Sequence, residues 1–383
     1  MPIMTDHEIK TKIADGTVFG ISIDTAIFVR YGCNLDFSVL NKLDQFKNGL
    51  IEVLFSEIVI NEVKDHIARK AEDSRRQLIS AIRTQSKQWK IQVDISELFT
   101  ALAVTGDARS AARDQFEHYL SSVGGIVVPA TSPADVSAEL LRRYFATEPP
   151  FANTDRKKHE FPDAFALLSL EAHARGKRKL LLCVSPDQGW KEFCAKSEYL
   201  ACVSDLDSAL SYFNESGRNI ADKTMAMWKS GSAPQLDAEV ERAFEYGLED
   251  AQFEADGSSP FEYESEPLGA VMQYLKLDTA TTPVVIAVGE DTVTFTINVR
   301  AVIGFEAEFS FFVRDSIDRD YVPVGSEHYT TEDDFEFEVV VSVRRTLDPE
   351  PDVVDVEIAI GRLEVDFGSI EPFPNEDPTH EKY

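Results

Sequence analysis

Residues 17–29 read TVFGISIDTAIFV, and residues 179–190 read KLLLCVSPDQGW. Each is a short apolar run that meets an aspartate, Asp24 in the first and Asp187 in the second. A run of this length, closed by turn-forming residues, suits a strand buried on both faces, as in a parallel sheet. Working outward, residues 36–49 read as a helix, and Ile51 to Phe55 as a second short strand. Ser56 is a good N-cap for a long helix behind it. Residues 107–121 read as a helix starting near Asp107, 126–128 as a strand closed by Pro129, and 133–146 as a further helix. A polar loop, TEPPFANTDRKKHEFP (147–162), leads to a helix that Asp163 opens and that ends near Gly176. After the strand 179–185, PDQGWKEFCAK turns into a helix, and LACVS (200–204) supplies one more strand. Alternating short strands and helices predict an α/β fold, a parallel sheet with helices on both faces, over residues 1–215.

The later sequence follows a different rule. Residues 216–268 are mixed, with a helical stretch over 235–250 and the acidic segment EADGSSPFEYESEP, and read as a linker. From residue 283 the apolar positions recur every second residue: Val293, Phe295, Ile297 and Val299, then Phe305 to Phe311, Phe335 to Val343, and Val354 to Ile360. Four or five strands with one apolar face predict an antiparallel sheet or small sandwich over 269–370. Residues 371–383 read as a disordered tail.

Charge divides the chain in the same way. The net charge is −29, but residues 1–230 hold 29 Lys+Arg against 31 Asp+Glu, while 231–383 hold 9 against 36. The first part can approach a polyanion; the second repels one. No apolar run is long enough for a membrane span, and the first residues lack the apolar stretch of a secretory signal. Cys33, Cys183, Cys194 and Cys202 form no C-x-x-C pair, so they read as reduced core residues of a cytoplasmic protein.

Four acids stand out by position. Asp24 and Asp187 lie at the carboxyl ends of predicted strands, where open parallel sheets bind ligands. Glu62, on the helix after the second strand, and Asp163, at the start of another, can join them there. Packed carboxylates repel one another, and a divalent cation relieves the repulsion. Oxygen ligands suit Mg²⁺ or Mn²⁺, and such ions serve phosphodiester displacement.

In these four segments the chain resembles the PIN-domain family of nucleases. The carrying residues are SIDTAIF with Asp24 and Thr25, SEIVINEV with Ser56, Val59 and Glu62, EFPDAFALLSL with Asp163, and VSPDQGW with Ser185, Asp187 and Trp190. The resemblance covers residues 17–215 and implies that Asp24, Glu62, Asp163 and Asp187 are the catalytic, metal-binding acids. It makes Ser185 and Thr25 supporting residues. It implies a metal-dependent endonuclease with RNA as the favoured substrate, and by analogy a toxin or antiphage role. Two basic clusters, Arg156, Lys157, Lys158 and His159, then Arg175, Lys177, Arg178 and Lys179, are candidates to hold nucleic-acid phosphates. The acidic β region is expected to bind a protein partner, assemble copies of the chain, or restrain the nuclease.

Plainer readings stand beside these. Asp24 and Asp187 could be turn or cap residues, and Asp163 could serve only the helix dipole. Glu57, Asp65 and Glu72 compete with Glu62. His66, one turn on from Glu62, reads as a solvated histidine. His159-Glu160-Phe161-Pro162-Asp163 is no zinc-protease helix, because Pro162 would break it. Ala26, two residues after Asp24, argues against a haloacid-dehalogenase phosphatase, which needs Asp-x-Asp. The other function left open is a catalytically silent PIN-like scaffold that binds RNA or protein.

Overall fold

The computed structural model describes residues 4–47, 49–90, 106–130, 134–151, 160–249, 251, 253–314, 321–347 and 350–372. By internal contacts the chain divides into two compact units, Met1–Glu215 and Ser216–Tyr383.

In the first unit the strands are β1 (Val18–Ile23), β2 (Glu52–Ser56), β3 (Ile126–Val128), β4 (Leu180–Val184) and β5 (Leu200–Val203). They form one parallel sheet in the order β3-β2-β1-β4-β5. The chain builds outward from β1 to β2 and β3, then returns to lay β4 on the other flank of β1. The order therefore reverses between β1 and β4, and a crevice opens beyond the carboxyl ends of these two strands. All residues of β1 and β4 are buried, which is why both read as unbroken apolar runs.

The helices of this unit are α1 (Asp6–Ala14), α2 (Thr25–Arg30), α3 (Ser38–Asn41), α4 (Glu57–Trp89), α5 (Ala108–Val123), α6 (Ala134–Ala146), α7 (Phe161–Lys177), α8 (Gln188–Cys194) and α9 (Leu206–Ser211). The helix expected over 36–49 is the short α3 followed by a 3₁₀ turn at Lys42–Phe46. Ser56 caps α4 through a bond from the Ile58 N–H (3.3 Å), and Asp107 caps α5 through one from the Ser110 N–H (3.1 Å). On one side of the sheet, Ala164, Leu167, Leu168 and Leu170 of α7 and Trp190 and Phe193 of α8 pack with Phe19, Leu54, Leu181 and Cys183. Phe28, Phe55, Phe116 and Tyr119 form a second aromatic cluster, with ring centroids 5.8–6.2 Å apart. All four cysteines are free thiols. Among the described residues, no helix is long and apolar enough to cross a membrane.

The second unit begins with the segment read as a linker, and here the structure corrects that reading. Helices α10 (Arg218–Lys229) and α11 (Pro234–Glu249) bury Ala221, Met225 and Trp228, then Leu236, Val240, Phe244 and Leu248. These residues recur at three- and four-residue intervals among acids, so composition alone hid a core-facing stripe. Strand β6 (Phe253–Ser258) follows, with Phe253 and Ala255 buried. Strand β7 (Glu262–Lys276) starts inside the acidic segment and is mostly exposed. Charge on an outer strand discourages edge-to-edge association.

The main sheet runs β11 (Pro351–Ala359), β10 (Tyr321–Leu347), β9 (Thr292–Arg314), β7, with β8 (Val284–Val288) also on β9; every pair is antiparallel. On β9 the odd positions Val293 to Phe311 are all buried, as period two requires. They pack with α10, α11, β6 and β12 (Leu363–Ser369) in one apolar core. The pairing of β12 with β6 is parallel, an addition to the all-antiparallel expectation. Of the expected tail, Glu371 is bound at its backbone by Tyr329 Oη, and residues 373–383 lie outside the described residues.

Gly20 fixes how closely β1 and β2 approach. A Cβ there would stand 2.6 Å from Leu54 Cδ1 and 2.7 Å from the Glu52 carbonyl oxygen. Backbone cannot yield as a side-chain tip does. Gly20→Ala should therefore displace β2 and cost roughly 1–3 kcal/mol, read as a lower midpoint in denaturant. An unchanged midpoint would contradict this strand spacing.

Candidate active site

Asp24 is the first residue beyond β1, and its N–H still donates to the Val184 carbonyl of β4 (3.0 Å). Its backbone caps α2 while its side chain makes no capping bond. The carboxylate is thus left for the crevice, where it is buried and accepts from Ser185 Oγ at 2.7 Å. Ser185 is the first residue beyond β4 and also accepts from the Asp187 N–H (3.1 Å). One hydroxyl therefore joins the two strand-end aspartates across the switch point. Asp187 is exposed and caps α8, its Oδ1 accepting from the Trp190 N–H (3.1 Å).

The other two acids come from helix starts at the same edge. Glu62 lies in the second turn of α4 and accepts from Thr25 Oγ1 at 2.6 Å. Asp163 lies in the first turn of α7 and accepts from Trp190 Nε1 at 3.0 Å. Pro162 stands in that first turn, where its missing N–H costs nothing. Of the acids competing with Glu62, Glu57 is occupied by the Ala130 N–H (2.8 Å), while Asp65 and Glu72 are exposed.

The acids feel one another. Burial pushes the Asp24 carboxyl up to about 7; the Ser185 bond opposes this, and the charges of Asp163 and Asp187 add to it. Burial pushes Asp163 up to about 6, opposed by Trp190 and reinforced by Glu62, Asp187 and Glu160. The fold thus gathers four acids from four segments into one negative field. Among the described residues, none of the four has an ion-pair partner within 4.0 Å. Their oxygens suit a hard divalent cation in kind. In arrangement they stop short of a finished cage: among the described residues, no three His, Cys, Asp or Glu groups stand in position to hold an ion.

Two features were not assigned from sequence. In sequence Trp190 stands only as a motif aromatic, yet it bonds Asp163 through its indole and Asp187 through its backbone. Glu160, the N-cap of α7, adds to the field on Asp163. The basic clusters do not fall as expected. Lys177 and Arg178 end α7, roughly 21 Å along the helix from Asp163 at 1.5 Å per residue. Lys177 pairs there with Glu52 at the start of β2 (2.5 Å). Both therefore belong to the amino edge of the sheet, because a helix that starts at the site carries its last turn away from it. Arg156, Lys157, Lys158 and His159 lie outside the described residues.

The raised carboxyls set a direction for stability. A carboxyl whose folded value lies above its unfolded value, near 3.9, keeps its proton longer in the fold. Without metal, stability from Asp24 and Asp163 is greatest near pH 4 and falls as pH rises toward 6 and 7. Asn at position 24 can still accept from Ser185. With chelator present, Asp24→Asn should stabilise the chain by roughly 1–3 kcal/mol at pH 8 and by almost nothing at pH 4. Thermal melts at the two pH values check this; equal shifts at both would contradict the burial of an ionised Asp24.

No curated protein and no solved structure matches the chain. One family model does, described as PIN domain, over residues 21–190. The match takes in the end of β1 and all of β2, β3 and β4, together with all four acids, Ser185 and Trp190. Over residues 21–190 the amino-terminal unit of this chain matches the PIN domain, a nuclease-like fold, and its parallel order and its acids at the switch point agree with that match.

Proposed function

We propose that the chain is a metal-dependent endonuclease that hydrolyses phosphodiester bonds, with RNA as the favoured substrate. The observation that carries this reading is the meeting of Asp24, Glu62, Asp163 and Asp187 at one sheet edge, electrostatically coupled and without a neutralising cation among the described side chains. Mg²⁺ commonly binds through one or two carboxylates, with waters and substrate phosphate completing its shell, so a partial cage is enough. Bound there, Mg²⁺ or Mn²⁺ would lower the pKa of an attacking water and offset charge on the phosphate. Asp24 and Asp187 would flank the reacting phosphate from the two strand ends, with Glu62 and Asp163 completing the ligand set. Ser185 would hold Asp24, Thr25 would hold Glu62, and Trp190 would hold Asp163. The acidic second unit would serve regulation or assembly.

The absence of a finished three-ligand cage among the described residues favours a second reading, a silent PIN-like scaffold that binds RNA or a protein. Cleavage separates the two. RNA and DNA oligonucleotides are incubated with the full chain and Mn²⁺, with and without chelator. The nuclease reading expects chelation, Asp24→Asn or Asp187→Asn each to lower the rate by about 100-fold or more. Ser185→Ala and Thr25→Val should cost about 10-fold. Cleavage that survives both aspartate substitutions would sink the site assignment. Light scattering addresses assembly, because a mass in solution of 42.8 kDa would mean a monomer.

A further inference from the structure

Helix α4 does not stop at the site. It continues from Glu62 to Trp89, a rise of roughly 40 Å at 1.5 Å per residue. Arg69, Arg76 and Arg83 follow Glu62 at successive seven-residue steps, and Lys90 follows as the C-cap. Seven residues fall about 20° short of two full turns, so the row stays on the side of the helix that carries Glu62. Lys87, one turn beyond Arg83, joins it. All five cations are exposed. Asp73 pairs with Arg76, yet residues 74–90 hold Arg75, Arg76, Arg83, Lys87 and Lys90 and no acid at all. In a chain of net charge −29, this is an unusual local excess.

We infer that the basic face of α4 beyond Glu62 is a binding surface for the backbone of single-stranded nucleic acid, leading a strand toward the four acids. The inference rests on the nuclease reading for its direction and on charge complementarity for its occupant. Cations about 10.5 Å apart meet roughly every third phosphate of a strand rising 3.4 Å per nucleotide. This surface takes the place of Lys177 and Arg178, which the fold carries to the far edge.

The test is binding of a fluorescent single-stranded RNA of about 40 nucleotides, long enough to follow the helix. The full chain is used, with chelator present so that nothing is cut. The triple variant Arg76→Gln, Arg83→Gln, Lys87→Gln should bind about 10-fold more weakly or worse. Its plot of log affinity against log salt should be shallower by about 2, for three lost contacts. Arg76→Lys with Arg83→Lys should bind like the parent, since charge is kept, which separates lost charge from a damaged helix. Equal affinity and equal salt slope in the triple variant overturn the proposal, as does a parent chain that binds no strand. Binding that depends on the basic face of α4 in a chain that never cleaves would leave this surface standing and remove the nuclease reading.

Discussion

The crevice at the switch point is organised around a repulsion. Asp24 is nearly enclosed, Asp163 is partly so, and the charge of Asp187 strengthens the hold of both on their protons. An apolar pair at these places would pack at less cost. The fold tolerates the acids because each has a donor of its own: Ser185 for Asp24, Trp190 for Asp163, Thr25 for Glu62. Those donors sit on segments the sheet already fixes. Ser185 directly follows β4, Thr25 opens α2, and Trp190 is buried in α8. Strain of this kind at a cleft is what poised carboxylates require, and it is a common mark of functional sites.

The same economy explains why few side chains do several things. Trp190 fills the core between α7 and α8, caps nothing itself, and yet orients two acids. Gly189 next to it leaves little room for a side chain, since a Cβ would lie 3.0 Å from both Asp187 Oδ1 and the Pro150 carbonyl oxygen. The acid cluster is therefore held by packing as much as by hydrogen bonds.

In the second unit the controlling fact is period two over unusually long strands. The odd-numbered buried positions of β9 and of Phe337–Val343 on β10 form one apolar face, and helices α10 and α11 with the β6–β12 pair cover it. The outer face and the β7 edge carry much of the acid. Glu266 and Glu308 stand directly opposite across β7 and β9, a like-charge pairing that costs stability. Further along the same strands, Lys276 of β7 and Arg300 of β9 both pair with Asp334 of β10.

How much of this the sequence determined depends on the range of the interaction. The strands of the first unit, its parallel class and the alternation of the second are local patterns of burial, and they were readable residue by residue. Asp24 and Asp187 could be placed because a residue just past a buried strand has only one edge to occupy. Segment 216–268 misled because its apolar stripe is diluted by acids, and only the sheet it covers reveals it. Thr25 bonding Glu62, and the indole of Trp190 reaching Asp163, join residues 37 and 27 positions apart. The exile of Lys177 follows from the direction in which α7 runs. Periodicity reports which side of an element is buried; it carries no record of which distant side chain will stand opposite, and that was decided only when the strands closed into one sheet.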